Sequence, residues 1–532
     1  MTRSSIPSPC WQPLCLALAA ALASSAAPAL AQQPSGAVLI QGFDVSGDNP
    51  LGAERANLSL APFLRQPATL ENLQKATSAL EKALEVDGHG LHRVVLPPQE
   101  IGGVVRLQVV AFSVGKVEVV GAEHHGADNI RRSLPELQEG GAPNFRVLAV
   151  QTAIANENPD KNVQVAFRAA PEADKINAQV NVRDNRPLRL STGLSNIGTP
   201  ATGRDRFTVA LAHSNVFDRD HQFAGAYTTS LARPSDVQQV GLSYRIPSYG
   251  LRGVTGLSYT HSNVAGNFGG FTSTGAGSVF GASHTHYFVS QGGWRHYGTV
   301  AFDDKLFNVT EIDGVPLPGQ LRRRSRPLTL GYGARWETDD AVLLYNVDLA
   351  ANVGGGGGNN LVAYQTEDPR ITTSRWRALR AGASYLSRIG GQWQLLARAQ
   401  MQASPNALIS GEQFGVGGAA SVRGMAERAL SSDRGVFGSV ELRTPELTSG
   451  LRGVVFVDAA RMTNRGPVTA IKPGSDSVAS TGLGLRYDKG SLSIQADYAH
   501  VFDGSVVPTT VNSLAPQKGD GKFHVALFWR FY

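Results

Sequence analysis

Arg423 is the residue whose chemistry most needs explaining. It sits in the run Phe414-Gly415-Val416-Gly417-Gly418-Ala419-Ala420-Ser421-Val422-Arg423-Gly424-Met425, where the glycines permit a tight hairpin tip. A guanidinium on such a tip stays charged, and in an enclosed setting it needs a carboxylate. Phe456-Val457-Asp458 offers one. In a strand with Val455, Val457 and Ala459 on one face, Phe456 and Asp458 share the other. Glu441 and Arg443 point the same way on the strand between. The chemistry within reach is an ion pair that seats a loop.

Other candidate sites are thinner. Gly415-x-Gly417-x-x-Ala420 has the spacing of a dinucleotide fingerprint but no strand-to-helix context. Gly354 to Gly358 lacks the Lys-Ser/Thr of a phosphate loop. His284 and His286 share a strand face, but with no third metal ligand in view they read as two pore-facing histidines. Arg322, Arg323, Arg324 and Arg326 form a basic loop, either solvated or in contact with lipopolysaccharide phosphates. There is no Gly-x-Ser-x-Gly and no convincing triad spacing. No enzyme activity, cofactor or metal is expected. The net charge of +6 is mild and spread out, which does not argue for nucleic acid.

The elements that position these residues begin after a leader. Arg3, the apolar run Leu14 to Ala23 and Ala29-Leu30-Ala31 before Gln32 read as a signal peptide over 1–31. Both cysteines, Cys10 and Cys15, fall inside it, so the mature chain has no disulfide and no thiol nucleophile. No later stretch approaches about 18 consecutive apolar residues, so no transmembrane helix is expected.

Two small mixed units come next, at 37–112 and 113–186. Each reads strand, helix or helices, strand, strand. In the first, Thr69 is an N-cap, Leu70, Leu73, Leu80 and Leu84 recur at helical spacing, and Gly88 ends the helix. In the second, helices are expected over Asn129 to Leu137 and Phe145 to Asn156.

From about Pro187 helical periodicity gives way to sixteen alternating segments reaching residue 532. Long gaps at 264–277, 311–325, 354–373, 406–434, 463–478 and 504–521 alternate with turns of about one to four residues. Short turns on one side and long loops on the other mark an outer-membrane barrel. An even strand number leaves both barrel ends and the two units in the periplasm, and makes 406–434 the sixth outer loop. In the last strand Phe523, Val525, Leu527, Trp529 and Phe531 face one way and His524, Ala526, Phe528 and Arg530 the other. A soluble edge strand this apolar would aggregate; a membrane strand needs it. A soluble β-sandwich explains this pattern poorly.

The chain resembles the TpsB transporters of two-partner secretion (the ShlB/FhaC/HecB haemolysin secretion/activation family, within the Omp85 superfamily). Val422-Arg423-Gly424 matches that family's pore-loop tip, and Phe456-x-Asp458 its partner motif on the thirteenth strand. Leu96-Pro97-Pro98-Gln99, Asn196-Ile197-Gly198 and Gly203-Arg204 add to the match. The resemblance implies a mixed fold: two periplasmic POTRA domains (β-α-α-β-β), then a 16-stranded antiparallel transmembrane β-barrel over 187–532. It implies that Arg423 and Asp458 pair to seat the loop. The implied function is an outer-membrane pore that secretes a large exoprotein of haemolysin or adhesin type. That partner would dock unfolded on the POTRA domains. Other partners would be outer-membrane lipid, lipopolysaccharide and the barrel-assembly machinery. An assembly factor of the same superfamily and a passive porin are the alternatives.

Three features depart from the family pattern. Met425 stands where an aromatic is usual. Tyr532 extends one residue beyond Phe531, the usual terminal aromatic. About five residues separate the leader from the first strand, which leaves no room for a pore-plugging helix.

Overall fold

The computed structural model describes residues 38–100, 102–268, 270–309, 311–312 and 315–531. The leader, the short stretch after it and Tyr532 lie outside the described residues.

The first unit runs strand Gly42–Gly47, helices Gly52–Leu60 and Leu70–Val86, strands His92–Val95 and Val104–Ala111. Val104–Ala111 lies centrally, parallel to the first strand and antiparallel to His92–Val95. Thr69 Oγ1 accepts the Asn72 N–H at 3.3 Å and caps the longer helix. Leu73, Ala76, Leu80 and Leu84 bury one face of it against the sheet. Gly88 ends it at φ +98°.

The second unit repeats the plan with strands Ser113–Val120, Lys161–Ala169 and Lys175–Asp184 and helices Ala127–Ser133 and Phe145–Ala155. Its first helix stops at Ser133, short of the expected Leu137. Pro135 disfavours helical geometry at Leu134, which takes φ −128° and ψ 59°.

The rest of the chain is a closed antiparallel barrel of sixteen strands. The first is Leu188–Ser195 and the last Gly521–Arg530. Arg323–Ser325 and Pro327–Glu337 pair in one register with Trp294–Phe307 and form a single eighth strand, interrupted at Arg326. Closure joins Ser191–Ser195 to Ala526–Arg530. Past the end of the first strand, Asn196 continues the pairing through its backbone N–H, which donates to Val525 O at 3.1 Å, and through its side chain. Its Nδ2 donates to Phe523 O at 2.8 Å and its Oδ1 accepts the Val525 N–H at 2.9 Å.

Large apolar side chains such as Leu257, Phe280, Val300, Leu349, Val457, Leu483 and Phe523 are exposed around the outside. A band of that extent is stable only against lipid. Near the short turns Trp294, His296, Tyr332, Trp336 and Tyr345 form a girdle with neighbouring rings 5.9–6.3 Å apart. His284 and His286 belong to this outer surface, which corrects the pore-facing reading. The strand Gly277–Tyr287 turns Ser283, Thr285 and Tyr287 inward, so the histidines face out, opposite Thr255 and Gly253.

The second unit is fixed to the barrel through a buried polar joint. The turn after the second barrel strand carries Phe217, Asp218 and Asp220 at φ +60°, +51° and +58°. Asp220 accepts from Lys161 Nζ at 2.5 Å and from Tyr249 OH at 2.6 Å. Lys161 also reaches Asn129 Oδ1 at 3.2 Å. Burial pulls the Lys161 ammonium below its usual value, and Asp220 opposes that shift. Beside them Asp184 binds His125 Nδ1 at 2.9 Å and accepts the N–H groups of Glu123, His124 and His125. Tyr249, Val254 and Tyr287 of the barrel close over the apolar core of the unit.

Candidate functional site

The loop between the eleventh and twelfth barrel strands, Trp393–Ala403 and Arg434–Arg443, folds into the lumen. Its stem is a short ribbon, Phe414–Val416 against Leu430–Ser432. Its root is held by buried carboxylates. Asp433 accepts the N–H groups of Leu408 and Arg465, both at 2.8 Å, and pairs with Arg370 at 3.3 Å. Glu412 sits between Lys305 at 3.2 Å and Arg380 at 2.9 Å. At the tip Gly417, Gly418 and Gly424 take φ +114°, +104° and +95°. At Gly418 that positive φ strains any side chain, and a Cβ would also displace the Glu427 carboxylate 2.3 Å away.

Arg423 ends this construction, 1% exposed. Its Nε and Nη2 donate to Asp458 Oδ2 and Oδ1 at 2.8 and 3.0 Å. The Arg423 backbone N–H also donates to Asp458 Oδ2, at 3.2 Å. Nη1 donates to Glu441 at 2.9 Å and lies 3.6 Å from Asp497. The guanidinium stacks on Phe456, 3.3 Å from the ring centroid. Gly482 makes room for that ring: a Cβ there would come 2.4 Å from Phe456 Cζ.

Two further arginines complete the cluster. Arg443 Nε donates to Glu441 at 2.7 Å, and Arg486 forks onto Asp497 at 2.7 and 3.0 Å. Three guanidiniums thus face three carboxylates. Such a bidentate, fully partnered arrangement is what tolerates burial of so much charge.

The apolar half of the tip packs separately. Val422 and Met425 are buried with Phe414, Phe437, Met462, Val478 and Val501, and with Val507 and Ala515 of the last outer loop. Met425 fills this site without an aromatic ring; its flexible thioether adapts to an irregular pocket.

The family model for the haemolysin secretion/activation protein ShlB/FhaC/HecB matches residues 174–487. The chain belongs to this family. A model for the ShlB-type POTRA domain matches residues 38–111. The outer membrane transporter CdiB of Dickeya dadantii (strain 3937) is 23% identical over 401 residues, 74% of this chain and 70% of that protein. Among solved structures, CdiB from Escherichia coli has a TM-score of 0.76 at 18% identity, covering 95% of this chain and 93% of that one. CdiB from Acinetobacter baumannii has a TM-score of 0.69 at 16% identity, covering 94% and 91%. At these identities the structural likeness is one of fold.

In this ShlB/FhaC/HecB-family chain Val422, Arg423, Gly424, Met425, Phe456 and Asp458 converge in one buried cluster. On the last strand Phe523, Val525 and Trp529 are exposed outward and Leu527 is half-buried. Phe531 lies just past the end of that strand. Strand alternation in the sequence puts Glu441 and His524 inward but names no partner for them, and it does not single out Arg486, Asp497 or Gly482. The same alternation turns Arg486 and Asp497 inward. What was missing was the stagger between strands, which decides who meets whom.

The basic loop divides by the same rule. Arg323 points in and pairs with Glu367 at 2.6 Å. Arg324 and Arg326 join Asp304 on the outer surface at 2.6 and 3.2 Å.

Proposed function

We propose that the protein is an outer-membrane pore that passes an unfolded partner exoprotein from the periplasm to the cell surface, with the Arg423 loop as its closure. The observation that carries this is the buried Arg423–Asp458 pair at the tip of an inward-folded loop. A passive porin has no need to hold a flexible glycine tip through a cluster of six charges. Beside the loop a cavity of about 530 Å³ is bounded by small uncharged residues of the first two strands, Ser191, Thr208 and Ala210, with Arg398 and Glu427 at its other edge. An extended chain can slide along such a wall without being held.

The POTRA units supply the docking end. His92–Val95 and Lys161–Ala169 are edge strands, each paired on one side only within its sheet. An extended segment of the partner adds to such an edge through backbone hydrogen bonds. The partner is a large exoprotein of haemolysin or adhesin type, and its folding outside gives direction by making return unfavourable by several kcal/mol. Arg324 and Arg326, with Asp304 between them, suit lipopolysaccharide phosphates.

Arg423→Ala and Asp458→Ala should each cut partner secretion at least tenfold while the barrel remains heat-modifiable and membrane-inserted. Normal secretion in both removes the loop from the mechanism. Deleting residues 37–112 should abolish secretion but leave an ion-conducting pore. The short closing ladder is what an assembly factor would exploit, so a barrel-insertion assay run beside the secretion assay separates the two roles.

A further inference from the structure

His524 lies on the inner face of the last barrel strand, directly opposite Asp497 and 4% exposed. Its Nε2 is 3.0 Å from the backbone nitrogen of Gly424, the residue after Arg423. An amide N–H can only donate, so Nε2 must present a lone pair. The imidazole is therefore neutral, with its proton on Nδ1. Nδ1 has no partner among the described residues, and the ring borders a cavity of about 130 Å³ beside the arginine cluster.

We propose that His524 is a positioning residue for the loop closure and makes it acid-sensitive. While Nε2 is unprotonated it holds Gly424, and through it Arg423, against the closing strand. A proton on Nε2 replaces the acceptor with a donor facing a donor, and the tip is released.

The surroundings favour release over accommodation. Lys522 faces the ring from its own strand, Asp497 from the fifteenth, Arg486 from the fourteenth and Asp458 from the thirteenth. Glu441 and Arg443 face it from the twelfth strand and Arg398 from the eleventh. Arg423 comes from the loop, while Glu427 of the loop and Arg204 of the first outer turn act on Lys522 rather than on the ring itself. Asp458, Glu441 and Asp497 are already engaged by Arg423, Arg443 and Arg486. An additional cation at His524 would compete with arginines that hold every carboxylate of the cluster.

The test uses the full-length protein in planar bilayers and liposomes. A nitroxide at Ser421→Cys reports tip mobility, since the mature chain has no other thiol. Between about pH 7.5 and about pH 4.5 the mobile fraction should rise at least about tenfold. Potassium chloride conductance should rise with it. His524→Gln keeps an acceptor that does not titrate, and should hold the tip immobile above about pH 5. His524→Leu keeps the bulk but leaves the Gly424 N–H unpaired, and should be mobile at every pH. A His524→Gln protein that titrates like the unsubstituted one, or a His524→Leu tip that stays immobile, overturns the proposal. The inference rests on the loop being the closure only in its conductance arm. Acid mobility without a change in conductance keeps His524 as the anchor and refutes the closure.

Discussion

The protein buries charge in two places, and the two are built differently. At the pore loop the cation is an arginine on a glycine-hinged tip, with Asp458, Glu441 and Asp497 at 2.8, 2.9 and 3.6 Å. At the POTRA joint the cation is Lys161 on a regular strand, with Asp220 at 2.5 Å as its nearest acid. A guanidinium with several carboxylates in reach can step from one to the next without being left bare. An ammonium whose ion-pair partner is Asp220, with Asp184 and Asp218 acting only at longer range, is held in one place. The first arrangement suits a contact that must be exchanged, the second a contact that must hold. Backbone geometry agrees, because Asp220 is pinned in a turn at positive φ while the loop tip bends at glycines.

Neutralising each pair separates the two roles. Arg423→Met with Asp458→Asn should still lose secretion at least tenfold in a folded barrel, because the tip loses its seat. Lys161→Met with Asp220→Asn should secrete within about twofold of the unsubstituted protein. Asparagine tolerates the left-handed backbone and keeps the Tyr249 hydrogen bond, and a static buried ion pair is replaceable. Lys161→Met alone should weaken docking of the second POTRA unit by about 3–5 kcal/mol, read as faster proteolysis between unit and barrel. Equal damage from the two double variants would erase the distinction.

Smaller effects test the packing and the joint. Met425→Phe should change barrel stability by less than about 1.5 kcal/mol in urea, whereas Met425→Ala should lose about 2–3 kcal/mol. The smallest effect is expected at Asp184. Burial works to raise this carboxyl, but the N–H groups of Glu123, His124 and His125 and the His125 ring together hold it below its usual value. Its contribution is therefore present above the unfolded value near about 3.9 and lost as pH falls through the lower folded value. Amide protection of residues 123–125 should persist to about pH 4 and disappear below it.

Much of this was legible in the chain, for a physical reason. Where one strand face meets lipid, alternation is enforced, and Val455 and Val457 outside place Phe456 and Asp458 inside. Above the bilayer that constraint lapses. The polar start of Ser475–Lys489 and the arginine-rich start of the eighth strand accordingly looked like loop. The helix Gly52–Leu60 buries only Ala56 and Leu60, too little to stand out as a pattern. Lys161 and Asp220 belong to different domains, and no local periodicity announces a meeting set by how two bodies dock.

The side-chain bridge from Asn196 gives the cylinder a zipper whose final tooth is made of different material. A rotamer change at Asn196 removes two of its three hydrogen bonds, whereas the rungs below it are made by backbone alone. Unfastening should therefore begin at the outer end of this line, and amide exchange at Val525 should outpace that at Leu527 within the same strand.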